Sequence, residues 1–345
     1  MAASGSGSGG ASASGGGGQP LVVPWVEKYR PKTLEDVAAH KSIVDTVKRL
    51  VDESKLPHLL LYGPPGTGKT SMILAIARQI YGKRAAQMTL HLNASDARGI
   101  DVVRNDIQGF ASTKHIFHQG FKLIVLDECD AMTNDAQFAL RRIIEKYTKN
   151  TRFCLICNYV NKVIPALQSR CTRFRFCPLP EDYMTERLSY VIGEEDVKVE
   201  GRGLESIVKL AGGDMRRALN LLQSIAMSAG VLSEDTVYAC TGQTKPEQVK
   251  EIIKLLLHSS FQECMEKLQE MQRQNGFALV DILHDLYRWV IDLKLPGEPT
   301  MDLLDSLSEL EYNLSGSSSN TLQLGGLVGT FFLARKSLVD VTAGA

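Results

Sequence analysis

The sequence predicts an α/β layer fold with a parallel sheet, followed by helical domains. Short apolar runs alternate with segments of helical apolar spacing from Leu59 to the "RFRFCPLP" stretch at 173–180. A glycine-rich loop joins the first such run to the first such helix, and beyond "RFRFCPLP" the strand pattern gives way to amphipathic helix. Strands alternating with helices build parallel sheets, whose ligands gather at the carboxyl ends of the strands.

Each element has its own justification. Residues 1–20 are almost wholly Gly, Ser and Ala, too poor in apolar surface to offset the entropy of ordering, and read as a disordered tail. The first basic residue is Lys28, which does not suit a transit peptide. "LLLY" (Leu59–Tyr62) reads as a buried strand and "SMILAIARQIYG" as a helix closed by Gly82. "MTLHLNAS" is the second strand, and "DARGIDVVRNDIQGFA" repeats Ile100, Val103, Ile107 and Phe110 at helical intervals. "FKLIVLDECD" is a buried strand ending in acids, "NDAQFALRRIIEKYT" a helix and "TRFCLICNY" a strand. This first domain spans 21–180. Residues 181–240 read as a small domain of short helices broken by Gly193, Gly201, Gly203, "AGGD" and Gly230, and 241–345 as a third, all-helical domain.

Composition limits the class of protein. A chain of 345 residues is too long for one ordinary core, and 39 basic side chains balance 39 acidic ones, so nucleic-acid binding would have to come from a local basic face. Seven scattered cysteines suit a reducing compartment. Cys154 and Cys157 form the one C-x-x-C, but they sit three apart in a strand, on opposite faces, and no second Cys or His pair follows at zinc-site spacing, so no metal ligand is assigned to them. With no apolar stretch of membrane-spanning length and no apolar signal core, a soluble intracellular protein without membrane contact is expected. The histidines show no metal or triad pattern.

The chemistry begins at "GPPGTGKT", Gly63, Pro64, Pro65, Gly66, Thr67, Gly68, Lys69 and Thr70, which satisfies G-x-x-x-x-G-K-[ST] between a strand and a helix. Glycines let backbone N–H groups approach phosphates, the helix offers its positive end, Lys69 neutralises β and γ oxygens, and Thr70 supplies a magnesium ligand. ATP and Mg2+ are the expected cofactors. "LIVLDECD" carries Asp127 to the carboxyl end of its strand, where it holds the metal through water, and Glu128 follows to orient and deprotonate an attacking water. Asp then Glu points to hydrolysis rather than transfer to another substrate, while Asp130 alone reads as an ordinary strand-ending acid. Asn158, just past the next strand, is a neutral donor near the γ-phosphate position. "LQSRCTRFRF" holds Arg170, a candidate to stabilise transition-state charge in a neighbouring subunit, with Arg173 and Arg175 better suited to a solvated strand edge. Arg216 and Arg217 begin a helix in the second domain, and either has the reach to report ATP by domain closure.

"PWVEKYRPKTL", the phosphate loop, "LDECDAM", "SRC" and "GDMRRALN" occur in an order that resembles the small subunits of replication factor C, the sliding-clamp loader of the AAA+ ATPases. The resemblance covers roughly 21–340. It implies an AAA+ P-loop domain with a parallel sheet, a helical lid domain and an all-helical collar domain for oligomerisation. It also implies a trans finger at Arg170, sensor roles for Asn158 and Arg216, and an N-terminal segment lining the adenine, with Val26, Tyr29 and Val37 as candidates. The implied partners are four other replication factor C subunits (one large, three small), the PCNA sliding clamp and primer-template DNA, in the nucleus. Two positions depart from the family pattern: Cys129 replaces an alanine in the acid box, and Gln108 stands where the DNA-facing helix has a basic residue, leaving Arg98 and Arg104 as candidate phosphate contacts. Ile116 and Phe117 in "STKHIFHQGFK" either insert into the clamp or pack into the sheet. Two other readings stay open on the residues alone: a nucleotide-bound scaffold with little turnover, and another AAA+ DNA machine such as a helicase loader or branch-migration motor.

Overall fold

A computed structural model describes residues 23–34, 36, 40–53, 55–95, 103–113, 120–292, 297–316 and 319–343. The chain divides between Cys177 and Pro178 into two compact units. The first holds a parallel sheet whose strands are β1 (Leu59–Tyr62), β2 (Thr89–Asn93), β3 (Lys122–Asp127), β4 (Thr151–Cys157) and β5 (Thr172–Arg175), in spatial order β2-β3-β4-β1-β5. All four pairings are parallel, with Leu61 opposite Ile156 and Asn93 opposite Asp127. Parallel pairing needs crossovers, and helices α1 (Trp25–Lys28), α2 (Lys41–Asp52), α3 (Lys69–Tyr81) and α4 (Asn134–Tyr147) accompany the strands.

The two-residue period of the strands builds two cores. Leu60, Ile124, Leu126, Phe153, Leu155 and Cys157 face one side and pack with Leu140, Ile143 and Ile144 of α4. Leu59, Leu61, Leu123, Val125, Cys154 and Ile156 face the other and pack with Met72, Ile73 and Ile76 of α3 and Val44 and Val47 of α2. Strands buried on both faces read as unbroken apolar runs, which is why "KLIVLD" and "RFCLIC" lack alternation. Burying each large aliphatic side chain fully contributes about 1.5–3 kcal/mol. Cys154 and Cys157 fall in opposite cores, as their spacing predicts. All seven cysteines are free: 129, 154, 157 and 264 are buried, Cys171 is half-buried, and Cys177 and Cys240 are exposed.

Between β2 and β3 the described helix differs from the continuous one the sequence predicts. Val103–Ile107 forms a π-type turn before regular helix at Gln108–Ser112. Lys122, buried at the start of β3, donates to the Phe110 carbonyl at 2.9 Å and to Thr113 Oγ1 at 2.6 Å, binding the end of that helix to the strand. Residues 96–102 and 114–119 are outside the described set.

The second unit is helical apart from a two-strand parallel pair, β6 (Lys198–Val199) with β7 (Val231–Leu232). Helices α5 (Glu181–Glu194), α6 (Gly203–Ala211), α7 (Met215–Ser228) and α8 (Glu234–Thr241) come first. Their ends are specified locally: Asp214 caps α7, Ser233 and Thr236 form a capping box on α8, and Gly212 and Gly242 close α6 and α8 in the left-handed conformation. There follow α9 (Pro246–His258), α10 (Phe261–Asn275), α11 (Leu279–Asp292), α12 (Gly297–Ser315) and α13 (Asn320–Ala343), which share one core through residues such as Ile252, Leu268, Leu286, Leu307 and Phe331. No described helix is long and apolar enough to cross a membrane.

Candidate functional site

Four of the residues the sequence predicts for phosphate chemistry meet at the carboxyl ends of β1, β3 and β4. The loop leaves β1 with Gly63, Gly66 and Gly68 all at positive φ, a conformation other residues adopt only with strain. At Gly63 a side chain is also excluded by space, because an added Cβ would stand 2.1 Å from the Phe176 carbonyl oxygen. Thr67, Lys69 and Thr70 are buried, and the Thr67 hydroxyl donates to the Pro64 carbonyl at 3.0 Å, closing the loop on itself.

Lys69, first residue of α3, donates from Nζ to the Gly63 carbonyl (2.8 Å), the Pro64 carbonyl (2.7 Å) and Asn158 Oδ1 (3.1 Å). The sensor candidate at the end of β4 and the lysine of the loop therefore share a hydrogen bond although 89 positions separate them. Thr70 Oγ1 donates to Asp127 Oδ2 at 2.6 Å. A hydroxyl and a carboxylate at this separation, beside a loop of backbone amides, match the hard oxygen donors that magnesium takes. Burial pushes the Asp127 carboxyl up, but His91 Nε2 at 3.9 Å, the Thr70 hydroxyl and the Glu128 amide outweigh it and hold the group below its ordinary value. Asp127 is thus ionised at neutral pH, as a magnesium ligand must be.

Glu128 is exposed and sits in the left-handed region at φ 53°, one of two non-glycine residues to do so among those described. For a glutamate that conformation is strained, and it marks the turn where the chain leaves β3 with the catalytic candidate at its apex. Cys129, buried just behind it, occupies the small apolar position expected of it.

Three contributors escaped the sequence reading. Asp130 is more than a strand-ending acid: its Oδ2 accepts from the backbone amides of Asn158 (3.3 Å) and Tyr159 (3.0 Å), tying the end of β4 to the turn after β3. His91 of β2, two residues before the register partner of Asp127, brings its Nε2 to 3.9 Å from Asp127 Oδ2. Glu145 of α4 is paired with Arg170. No local pattern announces these contacts, since the partners lie 25 to 36 positions apart.

Arg170 follows the helical turn Pro165–Gln168 and is half-buried. Arg173 and Arg175 are exposed on β5, the edge strand, in keeping with a solvated edge. Arg216 and Arg217 are exposed in the first turn of α7, their amides bound by Asp214 Oδ1 at 2.8 and 3.2 Å. Val26 and Tyr29 are half-buried at α1. Val37, Arg98, Ile116 and Phe117 lie outside the described residues, as does the side chain of Arg104.

A buried lysine loop, a strand ending at Asp127 with Glu128 next to it, and an asparagine just past the adjacent strand define a P-loop nucleoside-triphosphatase. A family model described as "ATPase family associated with various cellular activities (AAA)" matches residues 59–179, "RCF1/5-like, AAA+ ATPase lid domain" matches 186–227, and "Replication factor C C-terminal domain" matches 244–330. Replication factor C subunit 3 of Oryza sativa is 52% identical over 92% of this chain and 88% of its own. Subunit 5 of Homo sapiens is 50% identical over 92% and 94%, and subunit 3 of Saccharomyces cerevisiae 48% over 89% and 92%. The chain belongs to the replication factor C family and is an ATPase. The stretch "CNYVNKVIPALQSRCTRFRF" resembles the small subunit numbered three in fungi and plants and five in animals, and the relatives carry those two numbers, although a plant relative from Arabidopsis thaliana, 51% identical over 93% of this chain and 90% of its own, is numbered five. A solved RuvB of Thermotoga maritima, 16% identical with TM-score 0.50 over 75% of this chain and 91% of its own, shares the fold.

Proposed function

We propose that this chain is an ATP-hydrolysing subunit of a heteropentameric clamp loader, which opens the PCNA sliding clamp and sets it on primer-template DNA in the nucleus, for replication and repair. The observation that carries the proposal is the convergence of Lys69, Thr70, Asp127 and Asn158 in a chain that matches a replication factor C subunit over 92% of its length.

The phosphate and metal roles follow from donor chemistry, and the finger, sensor, adenine, DNA and clamp roles from the family resemblance. Loop amides and Lys69 bind the β and γ phosphates, and Asn158 Nδ2 is left to donate to the γ-phosphate while Oδ1 accepts from Lys69. Mg2+, held by Thr70 directly and by Asp127 through water, would neutralise charge that grows on the phosphate oxygens. Glu128 takes the proton of the attacking water. Arg170 reaches the γ-phosphate of a neighbouring subunit, and Arg216 reports nucleotide when the lid closes. Val26, Tyr29 and Val37 line the adenine, Arg98 and Arg104 meet DNA phosphates, and Ile116 and Phe117 engage the clamp. The domains run 21–180, 181–240 and 241–345, the last forming the collar with one large and three other small subunits.

Native mass spectrometry of the tagged chain, purified from its own cells with ATP and magnesium, tests the assembly. A five-chain complex of related AAA+ subunits is expected, and a lone chain or a ring of identical copies would refute it. Within that complex Glu128→Gln should bind ATP and lower hydrolysis; unchanged complex ATPase would leave ATP as a structural ligand instead.

A further inference from the structure

Arg170 is held in place within its own chain. Its Nη2 pairs with Glu145 Oε1, and its Nη1 donates to the Ala166 carbonyl at 2.7 Å and approaches Ser169 Oγ at 3.4 Å. Glu145 is itself braced by Arg141 Nε at 3.2 Å, one helical turn earlier on α4. Arg141 first, and Arg170 with it, holds the Glu145 carboxyl below its usual range, so this carboxylate stays ionised at neutral pH. Two guanidinium groups share one carboxylate, and the trio keeps a net positive charge. Among the described residues these bonds use three of the five N–H donors of Arg170, leaving two for an incoming anion.

We propose that Glu145 is the positioning residue for Arg170: with the Ala166 carbonyl it fixes the guanidinium plane, so that the remaining N–H groups are oriented for the γ-phosphate held by an adjacent subunit. The inference rests on reading Arg170 as the trans finger. Arg170 and Glu145 are 31% and 44% exposed at their side chains, and an exposed ion pair contributes little to folding, so its consequence lies in orientation. An arginine side chain otherwise samples many rotamers, and restricting it before the phosphate arrives removes an ordering cost from the transition state. Phe138 lies on the same face of α4, seven positions before Glu145, and is 50% exposed. An exposed aromatic beside a charged cluster is what a face covered by another protein presents.

The test is steady-state ATP hydrolysis by the assembled complex with saturating clamp and primed DNA. Glu145→Ala should lower kcat about tenfold with KM for ATP unchanged. Glu145→Gln, whose amide oxygen still accepts from Arg170, should recover most of the loss. In an Arg170→Ala background, Glu145→Ala should cause no further loss, which a general structural defect would not reproduce. Equal five-chain assembly of every variant, by native mass spectrometry, is the folding control. An unchanged or raised kcat in Glu145→Ala, with Arg170→Ala strongly impaired, overturns the positioning role alone. An Arg170→Ala complex of full activity overturns the finger reading and this inference with it.

Discussion

Replacing Asp130 with alanine should separate the placement of Asn158 from nucleotide binding. One carboxylate oxygen accepts both the Asn158 and Tyr159 amides, at 3.3 and 3.0 Å. Hydrogen bonds to a charged acceptor are each worth about 1.5–3 kcal/mol when removal leaves the donor unsatisfied. Here both donors sit on exposed residues and water replaces the carboxylate, so we expect a loss of only about 1–2 kcal/mol in folding stability. The larger effect is geometric. Asn158 meets Lys69 Nζ at 3.1 Å, and letting its backbone drift by about 1 Å costs on the order of 10²-fold in rate when a group must sit at a developing charge. Urea unfolding of the chain, ATP titration and ATPase of the assembled complex measure the three quantities. Expected are a small stability loss, nearly normal ATP binding and a kcat reduced at least tenfold, with Asp130→Asn intermediate. A normal kcat beside the expected stability loss would refute the reasoning: Asn158 would then be held by β4 alone, and Asp130 would only tie two strand ends.

Two further outcomes follow from the first unit. Gly63→Ala combines a φ of 143° with a Cβ 2.1 Å from the Phe176 carbonyl, and should cost at least about 2–3 kcal/mol and abolish ATP binding. Gly109→Ala, in open space on a helix, should be neutral or stabilising by up to ~1 kcal/mol, and equal thermal melts for the two would refute the steric account. His58 is buried, its Nδ1 accepting the Phe153 amide at 3.2 Å; burial, with Arg152 nearby, pushes its pKa from 6.5 down to about 4. Because the folded value is the lower one, the neutral ring's contribution is complete above pH 6.5 and is lost as pH falls through about 4. Urea melts between pH 7 and 4.5 should show His58→Gln lacking about 2 kcal/mol of the wild-type decline, and parallel declines would contradict it.

The phosphate loop, the acid-ended strand and the two-faced sheet were legible because each is written locally, in residue type, spacing and period. "GPPGTGKT" needs no distant partner to be recognised, and "KLIVLD" is apolar throughout because both of its faces are covered. What stayed hidden depends on chain crossings. Gln137 looks like a polar interruption of an amphipathic helix, yet it is buried and bonds the Met132 and Lys162 carbonyls and the Ile164 amide, locking α4 to the segment that leads to Arg170. Asp130, His91 and Glu145 have the same character. Each is an ordinary surface letter whose partner is brought to it by parallel β pairing or by helix placement. The π-type turn at Val103–Ile107 was also invisible, and the helical spacing of Val103, Ile107 and Phe110 survives it only in part.

The distribution of thiols makes the molecule chemically addressable without redesign. Alkylating reagents act on exposed thiolates, and the buried sulfurs at 129, 154, 157 and 264 offer none, while burial pushes the half-buried Cys171 up to about 12. Cys240 stands near the end of α8, and Cys177 is the last residue of the first unit, where the chain passes into the second. A fluorophore confined to Cys177 by a single substitution, Cys240→Ser, would therefore mark the point where the chain passes from one compact unit into the other, turning an incidental residue into a ready-made labelling handle at the domain boundary.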